Sequence, residues 1–353
     1  MSKYMSSRFS TLKTYTPGEQ PKDKKYIKLN TNENPYPPSD SVMNAINKVQ
    51  VSSLNLYPDP TCSSLKEVLS EKLGVSQNEI FCSNGSDEAL GFAITCFGEK
   101  GVIFPDITYG FYKVFCDYNN YPYSTIPLKE DFTINPSDYY GSGKCIVIAN
   151  PNAPTGLCLG LNQIEEIVKS NLDTVVIIDE AYIDFGGESA VPLVKKYDNI
   201  LVTRTFSKSY SLAGGRVGYA VGNPSLISDL LTIKYSTNPY NIDRLNLAAA
   251  TQSIIDQKYY DECVQKIVKT RERIKKELVG LGFIVLDTQT NFIFAKTDKI
   301  YGKDLYLTLK EKGILIRYFP GERTGEYIRI TIGTDEDMDK FILTLKGILE
   351  ETK

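Results

Sequence analysis

TFSKSYSLAGGRVGY, residues 205–219, sets one lysine, Lys208, among hydroxyls, just ahead of a glycine pair and Arg216. That combination puts an amine beside a site for a small anion. The preceding NILVTRTF (199–206) is rich in β-branched residues and reads as a strand, so Lys208 falls at a strand's carboxyl end. In an open α/β sheet, ligand crevices form there. Read alone, the stretch is equally a surface lysine in a serine-rich loop, and the surrounding chain has to decide.

The same design recurs upstream. EIFCS (79–83) reads as a strand feeding NGSDEALGFAITCF (84–97), which starts a helix. Such a junction leaves backbone N–H groups unpaired at the positive end of a helix and suits a phosphate, here at Gly85, Ser86 and Asp87. Asp87 and Glu88 favour the first turn as acids and are not expected to touch the anion through their carboxylates. A plain capped helix start is the alternative. GVIFPDITYGFY (101–112) gives a strand and a loop with Tyr109 at its tip, and KCIVIANPNAPTG (144–156) a buried strand and a turn carrying Asn152. TVVIIDEAYIDF (174–185) makes Asp179 the first polar residue after five apolar or β-branched ones. An acid there is costly unless it caps a turn or meets a positive group. Helical segments such as LNQIEEIVKSNL (161–172) separate these strands, so right-handed crossovers and a mostly parallel sheet follow, with the strand ends gathered along one edge.

The flanks read differently. Residues 1–40, with TYTPGEQP (14–21) and KLNTNENPYPPS (28–39), have the Pro, Asn and Thr of turns that fix their own backbone, and predict an ordered arm. SDSVMNAINKV (39–49) predicts one short helix, CSSLKEVLSEKLG (62–74) a second that stops at Gly74, and LYPDPT (56–61) a rigid turn presenting Tyr57. A helical tract from about Asp243 to Leu281, broken once, leads to FIVLDTQTNFIFAK (283–296), GKDLYLTLKEKG (302–313), GILIRYF (313–319), EYIRITIGT (326–334) and a last helix. Thr334 caps that helix, and Met338, Phe341, Ile342, Leu345, Ile348 and Leu349 form its buried stripe. The expected division is therefore an arm at 1–40, a large domain at 41–245 and a small α+β domain at 246–353.

Composition narrows the chemistry. The 353 residues contain no histidine, so a histidine triad, metal site or general base is excluded and acid/base work falls to Lys, Tyr, Asp, Glu or Cys. A net charge of −3 gives no reason to expect a nucleic-acid partner. The seven cysteines form no C-x-x-C pair and several lie in apolar runs, which suits reduced, buried thiols. No stretch has the apolar length of a signal peptide or a membrane span, so a cytoplasmic protein is expected.

One amine (Lys208), one strand-end acid (Asp179), an Asn (Asn152), tyrosines (Tyr109, Tyr182), a helix-start anion site and Arg216 form the set that pyridoxal phosphate needs. Taken with the order of KLNTNENPYPPS, YPDP, NGSDEAL, PDITYGFY, NPNAPTG, IDEAYIDF, RTFSKSYSLAGGRVGY, TNFIFAK and YIRITIGT, the chain resembles the class I/II, fold-type-I aminotransferases over nearly its whole length. The resemblance implies an α/β fold with a mostly parallel seven-stranded sheet flanked by helices, plus a smaller α+β domain. It implies pyridoxal 5'-phosphate on Lys208 as a Schiff base, Asp179 at the pyridine nitrogen, Asn152 and Tyr182 at the phenolic oxygen and Tyr109 stacked on the ring. It makes Gly85, Ser86, Asp87, Thr205, Ser207 and Arg216 the phosphate cup, completed by Tyr57 from the partner subunit of a homodimer. Tyr15, Asn34, Arg317 and Arg329 would surround the substrate. The implied reaction moves an amino group between histidinol phosphate and 2-oxoglutarate in histidine biosynthesis, without a metal. Decarboxylation of threonine phosphate, a broad aromatic aminotransferase and, more distantly, a non-catalytic effector-binding module are the competing readings. Pro37 and NPYNIDRL (238–245) depart from the family pattern, both at the substrate end.

Overall fold

The computed structural model describes residues 4–9 and 12–351. Its strands in chain order are β1 (Ile27–Lys28), β2 (Ile80–Ser83), β3 (Val102–Pro105), β4 (Tyr123–Ile126), β5 (Cys145–Ala149), β6 (Val176–Asp179), β7 (Ile200–Thr205) and β8 (Gly218–Gly222), then β9 (Ile284–Val285), β10 (Phe292–Lys296), β11 (Ile314–Leu315), β12 (Arg317–Tyr318) and β13 (Tyr327–Thr331). Seven of them form one sheet in the order β2-β8-β7-β6-β5-β3-β4. Only β8 runs against its neighbours, so the sheet is mostly parallel as expected.

The central strands β5, β6 and β7 are buried along their whole length, which is why they read as unbroken apolar runs rather than alternating ones. Side chains on the two faces enter separate cores. Ile146, Ile148, Ile178 and Val202 pack on one side, and Val147, Ile177 and Leu201 on the other, under the helix Gly85–Phe97. Each such side chain contributes roughly 1.5–3 kcal/mol through burial. The double cover holds the strand ends rigid.

The smaller body carries the antiparallel sheet β12-β13-β10-β9, backed by the helix Asp335–Glu351. That helix buries the six residues predicted, and Thr334 Oγ1 accepts from the Asp337 N–H at 3.2 Å as its cap. The arm is ordered and belongs here: β1 pairs with β11, and the Thr331 N–H donates to Leu29 O at 3.0 Å. Two boundaries differ from expectation. The predicted helix at 39–49 is two, Asp40–Ala45 and Lys48–Ser52, because the Asn47 side chain accepts from the Gln50 N–H at 3.3 Å and starts a new turn. Past residue 245, Leu247, Ala249, Ala250, Ile254 and Tyr260 still pack in the large core, whereas Ile267, Ile274 and Leu278 pack in the small one. The helix Gln257–Gly280 thus runs from one core to the other.

Candidate active site

Register brings the predicted residues together. Asp179 lies beside Ala149 of β5 and Thr203 of β7, while Gly218 of β8 pairs with both Thr205 and Ser83. Lys208, three residues past Thr205, and the helix that follows Ser83 therefore meet at one edge. They enclose a cavity of about 210 Å³ whose walls include Ser86, Asp87, Tyr109, Asp179, Tyr182, Thr205, Ser207, Lys208 and Arg216. A second lobe of about 400 Å³ shares Tyr109, Tyr182 and Lys208 and reaches Tyr15, Thr31, Asn32, Arg317, Phe319 and Arg329. Lys208 stands at the junction, its Nζ donating to Thr31 O at 3.3 Å and lying 5.7 Å from the Tyr182 ring centre.

Asp179 forms the floor. It is buried, and accepts from the Tyr112 hydroxyl at 2.7 Å and the Thr203 hydroxyl at 3.3 Å. Burial pushes its carboxyl up from the ordinary 3.8 to about 6; the Tyr112 bond works against the rise and the charge of Asp87 adds to it. A buried acid that forms no ion pair among the described residues is suited to a positively charged ligand atom, such as a protonated ring nitrogen. Burial and the neighbouring carboxylate push the Tyr112 phenol upward, so it stays a donor.

The anion end is built from backbone. Asn84 places no capping side chain on the helix Gly85–Phe97, and Ser86 and Asp87 of its first turn line the cavity. Gly85 has φ +74°, and a Cβ there would lie 2.4 Å from Arg216 Nη2. At Gly218 a Cβ would meet the Ser86 nitrogen at 2.4 Å, so glycine is what lets the strand pass under the helix start. Arg216 Nη1 donates to Ser207 Oγ at 3.3 Å, and Nη2 lies 3.5 Å from Asp87 Oδ2. The other Asp87 oxygen accepts from the Tyr109 hydroxyl at 2.9 Å. Turned to Tyr109 and one edge of Arg216, the Asp87 carboxylate leaves the N–H groups of the helix start for an anion.

Two more cations face the second lobe. Arg317 and Arg329 are directly opposed across β12 and β13, an arrangement in which like charges repel unless an anion lies between them. Arg329 sits 5.1 Å from the ring centres of both Phe292 and Phe319 and donates to Asn30 O at 3.1 Å; its Nε has no partner among the described residues. Burial pulls its guanidinium down to about 10, the phenols of Tyr182 and Tyr15 oppose this, and Arg317 adds to it. Arg329 still carries its charge at neutral pH.

A model of the class I and II aminotransferases matches residues 24–345. The chain belongs to that family. It is 51% identical to a histidinol-phosphate aminotransferase of Brachyspira hyodysenteriae over 353 residues, 99% of this chain and 100% of the relative. With one of Clostridium acetobutylicum it shares 48% over 98% of this chain and 99% of the relative. Among solved structures, the histidinol-phosphate aminotransferase of Sinorhizobium meliloti in complex with pyridoxal-5'-phosphate superposes over 100% of both chains with a TM-score of 0.89 at 25% identity.

Not every family-implied residue reaches the cleft. Asn152 does not face it: its amide donates to Ile107 O and Thr155 Oγ1, both at 3.0 Å, and its oxygen accepts from Thr108 Oγ1 at 2.8 Å. The next residue, Ala153, lines the wall instead. Asn34 is likewise committed, donating to Ser209 O and accepting from the Tyr36 N–H, each at 3.0 Å, so it braces the loop after Lys208 rather than lining the second lobe. Tyr57 lies outside its own chain's cleft, 77% exposed and stacked on Tyr240 with ring centres 4.4 Å apart. Three groups escaped the sequence reading: Tyr112 and Thr203, which hold Asp179, and Asn32, whose Nδ2 donates to the Tyr182 hydroxyl at 2.9 Å.

Proposed function

We propose that the chain is a pyridoxal-phosphate-dependent aminotransferase that exchanges an amino group between histidinol phosphate and 2-oxoglutarate, giving imidazole acetol phosphate and glutamate in histidine biosynthesis. The observation that carries this reading is Lys208 standing between a buried acid, Asp179, and an opposed arginine pair, Arg317 and Arg329. The residues suit the cofactor: a buried carboxyl in need of a cation, a helix start without a side-chain cap, and a reactive amine between them.

When bound, pyridoxal phosphate supplies an aldehyde that takes up amines and a protonated ring that draws electrons from the bonds next to the captured nitrogen. Asp179 would hold the proton on the ring nitrogen, Tyr182 would donate to the phenolic oxygen and Tyr109 would pack against the ring. The first N–H groups of the helix at Gly85, Ser86 and Asp87, with Thr205, Ser207 and Arg216, would hold the phosphate. Lys208 Nζ would take the proton from the substrate carbon that bears the amine and deliver it to the cofactor's aldehyde carbon rather than back to its source, as base and then acid. Arg329 and Arg317, with Tyr15, bind the substrate anion, and a planar guanidinium fork pairs with a phosphate monoester as well as with the carboxylate of glutamate.

The working unit is a homodimer in which Tyr57 reaches the cofactor phosphate of the other subunit. What supports this is the exposure of Tyr57 beside Val51, Leu54 and Leu56, an apolar patch on a turn held by Arg244 Nη2 donating to Tyr57 O at 3.1 Å. Small, charged, water-soluble substrates suit a cytoplasmic enzyme, and no helix among the described residues is long and apolar enough to cross a membrane. The test is glutamate formation on mixing the protein with histidinol phosphate and 2-oxoglutarate in the reverse-competent assay, with threonine phosphate in parallel. Transamination of the first supports the assignment, and carbon dioxide release from the second overturns it.

A further inference from the structure

On the cleft wall proposed to meet the cofactor's phenolic oxygen, the donor expected from Asn152 is bonded elsewhere. Ala153 presents a methyl group there, and the Asn152 amide beside it is fully engaged with Ile107, Thr155 and Thr108. Tyr182 is left to serve that oxygen. A phenol hydroxyl can donate or accept, so its usefulness depends on where its single proton points.

A chain of bonds from the small domain answers that. Asn32 is 1% exposed, and its N–H donates to Thr331 Oγ1 at 3.0 Å. Thr331 must therefore place its own hydroxyl proton elsewhere, and it donates to Asn32 Oδ1 at 2.9 Å. With its oxygen facing Thr331, the Asn32 amide can only turn its NH₂ toward Tyr182, 2.9 Å away. The reversed amide would leave the buried Thr331 proton without an acceptor, which is costly. Tyr182 accepts on that side, and its proton lies in the ring plane on the other, toward the cleft.

We propose that Asn32 is a positioning residue that holds the Tyr182 hydroxyl as a donor into the cleft, with Thr331 setting the direction of the bond. The proposal rests on the reading of the cleft as a pyridoxal phosphate site. It also explains an asparagine at φ 56°, a left-handed conformation that Asn and Asp tolerate better than other side chains. Because Thr331 is two residues from Arg329 on β13, the small domain's substrate strand and the cofactor tyrosine are joined by two hydrogen bonds.

The test is a pH titration of the visible absorbance of purified protein loaded with pyridoxal phosphate. Wild-type protein without such a band would refute the cofactor reading itself; with the band, the variants decide the present proposal. Asn32→Asp keeps size and backbone preference but can only accept, so it draws the Tyr182 proton away from the cleft. A donor at the phenolic oxygen lowers the proton affinity of the nitrogen shared with Lys208, so its loss should raise the midpoint by roughly 0.5–1 pH unit. kcat should fall while KM for the amino donor stays near the wild-type value. The introduced charge alone could also raise the midpoint, so the same change is read in a Tyr182→Phe background, where the expected additional shift is nil. A wild-type midpoint in Asn32→Asp, or a shift that persists undiminished without the Tyr182 hydroxyl, overturns the proposal. If Asn32→Asp yields no soluble holoenzyme, Thr331→Val is read in both backgrounds: a smaller rise that vanishes with Tyr182→Phe supports it, and an unchanged midpoint rejects it.

Discussion

The two lobes of the cleft are built by different means. The proposed cofactor end is made of strand ends and backbone: Asp179, Thr205 and Gly218 are fixed by sheet register, and the proposed phosphate cup by a helix start. The proposed substrate end is made of side chains from three separate segments, Tyr15 in the arm, Lys208 in the large domain and Arg317 with Arg329 in the small one. A site formed by backbone tolerates little change and serves one ligand. A site formed by guanidinium groups on a second domain can accept two anions in turn, which is what a two-substrate exchange requires.

The comparison can be broken most sharply at Lys208, which belongs to both lobes. Lys208→Ala should lower turnover of both half-reactions by roughly 10²–10⁴-fold or more while circular dichroism and dimerisation stay unchanged. Full activity of that variant would remove the lysine from the chemistry.

At the cofactor end, Asp179→Asn should change the pH dependence of stability in the cofactor-free protein. Asp179 binds its proton near pH 6 when folded, against an ordinary 3.8 when unfolded. Between those values the folded state holds the extra proton, so this group's effect weakens the fold as pH rises through the window. At about 1.4 kcal/mol per pH unit, denaturant unfolding from pH 4 to pH 7 should show a loss of roughly 2–2.5 kcal/mol in wild type relative to Asp179→Asn. Parallel curves for the two proteins would contradict the burial argument.

At the substrate end the effects are smaller and selective. Arg329→Lys should depress both half-reactions, by roughly 1.5–3 kcal/mol per lost charged bond, whereas Arg317→Ala should mainly hurt the phosphorylated substrate. Equal losses for both ligands in Arg317→Ala, measured by single-turnover kinetics, would dissolve the division of labour between the arginines. Smallest of all is the expected contribution from Tyr57. Tyr57→Phe should weaken cofactor retention by roughly 0.5–1.5 kcal/mol, and dilution that dissociates the dimer should release cofactor with it. A fully active monomer in sedimentation would exclude a shared site.

The same contrast explains what could be read from the sequence. Asp179 and Lys208 stand out because each is a polar residue where an apolar strand stops, and the strand pattern alone puts such positions on one edge. Arg317 and Arg329 give no comparable local signal, and their importance shows only in a register that sets one opposite the other. Asn152 and Ala153 are neighbours in a tight turn, and the turn's conformation decides which of them faces the ligand. The family resemblance implies a substrate role for Asn34, but a carbonyl 175 residues away, that of Ser209, takes its amide. Tyr112 and Asn32 act on other side chains through contacts between segments distant in the chain, 67 and 150 residues apart, which no spacing rule reaches.

The most direct test of the whole account follows the visible absorbance of the holoenzyme through one exchange. Histidinol phosphate alone should bleach the band as the amino group moves to the cofactor, and 2-oxoglutarate should then restore it with one glutamate formed per site; unphosphorylated histidinol at the same concentration should bleach it far more slowly, because the arginine pair has no phosphate to hold. Equal bleaching by histidinol and histidinol phosphate, or a band that 2-oxoglutarate does not restore, would contradict it.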